Sequence, residues 1–142
     1  MQETRWKGNS ARLIGEGYKL FYTGESSGRN GVGIIMSEKM WEGVVEVRRK
    51  SSRLMRAELV YEGERLNVIS AYAPQVGSSR EEKEKVWEEF DEVMSECGRG
   101  VKVVVGGDLN GHVDMLKKIR MALRSCMGDG DLVRGMRKER QY

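Results

Sequence analysis

Two polar side chains of complementary chemistry follow one apolar run: Val101 to Val105 (VKVVV) passes through Gly106-Gly107 into Asp108, and Asn110 stands two residues on. The C-terminal end of a strand is where a rigid sheet can offer polar groups to a cleft without burying them unpaired. Residues two apart share a strand face, so continued strand geometry would set the Asp108 carboxylate beside the Asn110 amide. The carboxylate can serve as a base or as a hard oxygen ligand for magnesium. The amide can hold a water or a phosphate oxygen without changing charge. Phosphodiester hydrolysis uses both functions. Read locally, GDLNG equally suits an Asx-rich turn. Tyr72 is a second candidate, a phenol at the end of an apolar strand just before Ala73-Pro74. It could reach a phosphate oxygen, or pack with its hydroxyl in water. His112 is the one histidine and reads as a loop residue at the rim of such a site.

These residues need elements to hold them. Gly17 to Thr23 (GYKLFYT) alternates like a half-buried strand, GESSGRN is a polar turn, and Gly31 to Met36 (GVGIIM) is a compact apolar run, which together predict a hairpin. Val44 to Arg48, Arg53 to Tyr61 and Arg65 to Tyr72 read as further short strands in an antiparallel series. Pro74 and Gly77 stop the sheet, and Ser78-Ser79 offers an N-cap with Glu81 and Glu82 in the first turn. Val86, Trp87, Phe90, Val93, Met94 and Cys97 then fall on one stripe of a helix that should lie on the sheet. Gly98 and Gly100 end it, and VKVVV has the β-branched character of a fully buried strand. Met115 to Met127 suggests a basic helix, Gly128 to Asp131 a turn, and the last fifteen residues a frayed end.

Composition bounds the rest. With 142 residues, 33% charged and 39% apolar, the chain is one α+β domain with a single core and no membrane partner. No leader pattern opens it, which points to an intracellular protein of nucleus or cytoplasm. Cys97 and Cys126 are too few for a disulfide framework or a zinc site and read as reduced thiols. The net charge of +3 is small, but Arg48, Arg49, Lys50, Arg53 and Arg56 cluster, and residues 117 to 140 hold eight basic side chains against three acidic ones. Such runs are commonly solvated faces; here they are also candidates for a nucleic-acid contact.

Four segments in order, MQETRWKG, RNGVGII, SAYAPQVG and VVVGGDLNGHV, resemble the endonuclease/exonuclease/phosphatase superfamily. The closest resemblance is to the craniofacial development protein 2-like and LINE-retrotransposon endonucleases. It covers residues 1 to 114 and leaves 115 to 142 as an unassigned basic segment. The resemblance implies a DNase I-like four-layer α/β sandwich, here partial, and a magnesium-dependent endonuclease acting on DNA, with manganese as a substitute ion. It makes Glu3 the metal ligand, although by itself Glu3 would be a frayed terminal residue. It makes Asp108 the group that orients or deprotonates water, Asn110 its partner in fixing water and phosphate, and Tyr72 the phosphate contact. The family's upstream asparagine strand and downstream Asp-His pair have no match, so the expectation is a domain truncated at both ends with little or no activity alone and with sheet edges open to self-association. The competing expectations are a non-catalytic nucleic-acid- or partner-binding module and a phosphoesterase acting on small phosphoesters.

Overall fold

The computed structural model describes residues 1–110 and 113–127. Two sheets carry the chain. The first is antiparallel, β1 (Ser10–Leu13), β2 (Lys19–Thr23) and β3 (Val32–Met36) in that order. The second runs β4 (Val44–Ser51), β5 (Leu54–Tyr61), β6 (Glu64–Tyr72), β7 (Lys102–Asp108), antiparallel except for the parallel pair β6 and β7. Short α1 (Glu38–Trp41) links the sheets, and α2 (Arg80–Glu96) and α3 (Val113–Met127) complete the described chain.

Period-two alternation in β5 and β6 explains the layering. Met55, Ala57 and Leu59 of β5 and Tyr72 of β6 point inward onto Phe21, Val32, Ile34 and Met36 of the first sheet. Leu54, Ile69 and Ala71 point the other way, onto Val86, Phe90, Val93 and Met94 of α2. Helix α2 starts where the sequence places it, with the Ser79 hydroxyl accepting the Glu82 amide at 3.2 Å. Ile119 of α3 joins the same outer cluster, so this helix is packed on the domain and crosses residue 114. The result is a mixed α+β architecture of three layers: sheet, sheet and outer helices.

Two expectations need correction, and two short elements carry no sequence signal. VKVVV is not fully buried: β7 is an edge strand, Val103 alone of its valines is buried, and Val104 is 49% exposed, because the first sheet does not extend across it. Strand β1 and helix α1 lie in segments whose sequence gave no periodic signal, being four residues each. The basic run of residues 48–56 is not a free cationic face. Arg56 is buried beneath the end of α2, donating to Asn67 Oδ1 at 2.8 Å and to Glu46 at 2.6 Å, with Glu58 and Glu96 each at 3.5 Å. Arg48 pairs with Glu96, Lys50 with Glu92, and Arg49 donates to the carbonyls of Tyr22 and Ser10. Among the described residues no helix is long and apolar enough to cross a membrane.

Arg56→Ala should therefore cost about 3 kcal/mol in urea unfolding, the low end for a broken buried ion network because Glu46 can rehydrate. Arg48→Ala, half exposed, should cost under about 1 kcal/mol.

Candidate functional site

Strands β6 and β7 run parallel with Ser70 opposite Gly106, Ala71 opposite Gly107 and Tyr72 opposite Asp108. Tyr72 and Asp108 thus stand side by side on the inner face, and the ladder continues one step as the Ala73 amide donates to the Asp108 carbonyl at 2.9 Å. Only glycine permits this approach: a Cβ on residue 107 would stand 1.9 Å from the Ala71 carbonyl oxygen, whereas one on Gly106 would meet nothing within 4 Å.

Asn110 does not continue the strand. It has a φ of +46°, and its amide donates to Asp108 Oδ1 at 2.9 Å, which is an Asx turn. Its side-chain amide turns back to the Ala73 carbonyl at 2.6 Å. The expectation that both side chains project together from one strand face is corrected: Asp108 stays exposed and Asn110 ties its turn to the end of β6.

Glu3 reaches the same end of the sheets by another route. Gln2 bridges Val32, the Thr4 amide donates to Gly31 and the Arg5 amide to Asn30, so the first residues lie along β3 rather than frayed. The Gln2 side chain donates to Ser70, across the gap between the sheets. Gly31 must be glycine there: its φ is +100° and a Cβ would stand 2.3 Å from Thr4 Oγ1.

Glu3 and Tyr72 line one cavity of about 410 Å³, together with Arg5, Arg29, Asn30, Arg53 and Ser78. Arg53 is nearly buried, 5.0 Å over the Tyr72 ring, with one nitrogen on Glu82 at 2.9 Å and another on the Tyr72 carbonyl at 3.4 Å. Arg5 is exposed and bonded to Glu3 at 2.9 Å, a contact that raises its pKa. The loop carrying Arg29 and Asn30 is anchored by Glu25, which accepts from Ser52 at 2.6 Å, Asn30 at 3.1 Å and Ser27 at 3.0 Å. The Ser52 hydrogen bond is the main reason that the Glu25 carboxyl is held below its ordinary range, with Arg29 adding to the effect and partial burial opposing it.

This donor set does not make a metal site as it stands. Among the described residues no three Asp, Glu, His or Cys side chains converge, and the cavity's single carboxylate is already held by an arginine and flanked by two more. His112 lies outside the described residues, as do residues 128–142, where a turn and a frayed end were expected. The three arginines were missed as cleft residues. Arg53 was read into a surface patch, and Arg5 and Arg29 lie 48 and 24 positions before it in sequence, so no local pattern joins them.

Gly107→Ala should separate β6 from β7 and destabilise the fold by about 1–3 kcal/mol, while Gly106→Ala should be nearly silent; paired thermal melts check both. Because Glu25 titrates lower in the folded chain, its contribution to loop order is complete above its ordinary value of 4.5 and is lost as pH falls through the folded value. Corrected amide-exchange protection at Gly31, which donates to the Ser52 carbonyl, should fall on acidification below that range. Glu25→Gln should remove that step.

No family model and no curated protein matches this chain. Among solved structures it is similar to a zebrafish (D. rerio) TDP2 humanised by 14 mutations, at a TM-score of 0.53 and 17% identity. The likeness covers 72% of this chain and 47% of that one, so the chain spans about half the length of the structure it matches. At this identity the likeness establishes the fold: an α+β arrangement of two sheets and outer helices, part of a DNase I-like sandwich.

Proposed function

We propose that this chain binds nucleic-acid phosphates, DNA foremost, in the cleft between Glu3 and Tyr72, and that Asp108 is the base it presents to a phosphodiester. One observation carries this reading: the β6–β7 register sets Asp108 beside Tyr72, whose other neighbour is an arginine-lined cavity. Tyr72 and Arg53 would steady a phosphate while the Asp108 carboxylate takes a proton from water on its exposed side. Asn110 acts by fixing the turn that holds Asp108. A magnesium or manganese requirement, which the sequence resemblance implies, has only Glu3 to rest on, and no step is assigned to it.

Hydrolysis by the chain alone should be weak, since the described residues bring no general acid to the cleft and catalytic groups act as a unit. The retroelement affiliation and self-association along the open β7 edge belong to the same proposal. They are supported by four short motifs and by the exposure of Val104. The small-phosphoester reading has one observation in its favour, a cavity of about 410 Å³, ample for a small ligand. The pairing of Arg48, Lys50 and Arg56 with glutamates speaks against a binding module built on that segment alone.

Plasmid DNA incubated with the chain and magnesium should show nicking near background, and robust nicking abolished by Asp108→Ala would contradict the expected weak activity. Fluorescence anisotropy with a short single-stranded DNA should give salt-sensitive binding. Arg48→Ala should leave it within about twofold, because that guanidinium already has a carboxylate partner on the surface.

A further inference from the structure

Three guanidiniums against one carboxylate is an unusual lining for a cavity expected to be centred on a divalent cation. The three are not equivalent. Arg53 is fixed, with a side chain 13% exposed, stacked on Tyr72 and held by Glu82. Arg5 is 71% exposed and Arg29 is exposed on the Glu25-anchored loop, so both can swing. Asn30 and Ser78 add neutral polar groups to the same wall. A fixed cation at the floor, two movable ones at the rim and a phenol between them match the needs of a phosphate group, which takes several charge-assisted hydrogen bonds from arginine forks.

Glu3 has a particular place in this set. It holds Arg5 across an exposed ion pair, which is weak and exchanges readily. A phosphate entering the cleft would compete with Glu3 for the Arg5 guanidinium, with like charges opposing each other. A divalent cation at Glu3 would have to displace Arg5 and then sit among the remaining arginines.

We infer that the cleft binds phosphate groups directly on Arg5, Arg29 and Arg53 without a divalent cation, and that Glu3 competes with the ligand for Arg5. This rests on the phosphate-binding reading above and deepens it. The two ideas about Glu3 predict opposite signs. If Glu3 held a metal that bridged to phosphate, removing its charge would weaken binding; if it competes for Arg5, removing its charge tightens binding.

The test is affinity of the full chain for a fluorescent 12-nucleotide single-stranded DNA, and separately for inorganic phosphate, in EDTA and in magnesium, for wild type, Glu3→Gln and Arg29→Ala. Binding should persist in EDTA, tighten about threefold in Glu3→Gln and weaken about tenfold in Arg29→Ala, the size of one charge-assisted contact. Circular dichroism melts confirm that the variants are folded. Binding that requires magnesium and is lost in Glu3→Gln would overturn the inference while leaving phosphate binding intact. Unchanged affinity in Arg29→Ala would place the anion elsewhere and also overturn it. No binding by wild type in either buffer would remove the phosphate-binding reading itself. Binding of inorganic phosphate as tight as that of the oligonucleotide would assign the cleft to a single phosphate group, and tighter oligonucleotide binding to a nucleic-acid strand; either supports the direct contact.

Discussion

The parallel contact between β6 and β7 is what sets Asp108 beside Tyr72, and it depends on the absence of a side chain at residue 107. With a Cβ there the strands could not close to ladder distance, since the Ala71 carbonyl occupies the space. With glycine they close, Asp108 comes level with Tyr72, and the Asp108 carbonyl receives the Ala73 amide. Helix α2 is the crossover that makes a parallel pair possible, and its stripe of Val86, Phe90, Val93 and Met94 covers the outer face of the sheet it joins. Packing on one face of the sheet thus holds polar groups at the end of the other.

Charge is distributed with the same economy. The cations of residues 48–56 are spent on holding β4 to the first sheet and α2 to the second, through Arg49 on two backbone carbonyls and Arg56 on a ring of glutamates. Arg56 is desolvated by these contacts, and Arg48 and Lys50 are paired with carboxylates nearer the surface. Arg53 belongs to the same run yet faces the cleft, because it stands in the turn just before β5, at the sheet end where Tyr72 closes β6 and donates its amide to the Arg53 carbonyl. Topology thus gathers Arg5, Arg29 and Arg53 around one cavity, although they lie far apart in sequence and the net charge of the chain is only +3.

What the sequence made legible follows from the range of the forces involved. Hydrophobic periodicity is local, so α2, the β2–β3 hairpin and the β4–β5–β6 series could be read with boundaries close to those found. The capping role of Ser79 is equally local. The burial of β7 was misread because a β-branched run looks alike at the centre and at the edge of a sheet, and only the extent of the facing sheet decides. The choice between strand and turn at Asn110 could not be made from GDLNG. The deciding contact is with Ala73, 37 residues away. Glu3 was placed by resemblance, and its docking depends on backbone contacts to Gly31 and Asn30 that no terminal pattern announces.

The central claim is that the ends of β6 and β7, with the cavity beside Tyr72, form the surface that meets a nucleic-acid phosphate. Titrating isotope-labelled protein with short single-stranded DNA while following backbone amide and arginine Nε shifts tests it most directly. The account predicts that the largest changes fall on Arg5, Arg29, Arg53, Tyr72 and Asp108, with the β4 amides from Val44 to Ser51 unmoved. Changes confined to β4, or spread evenly over the basic residues of the surface, would contradict it.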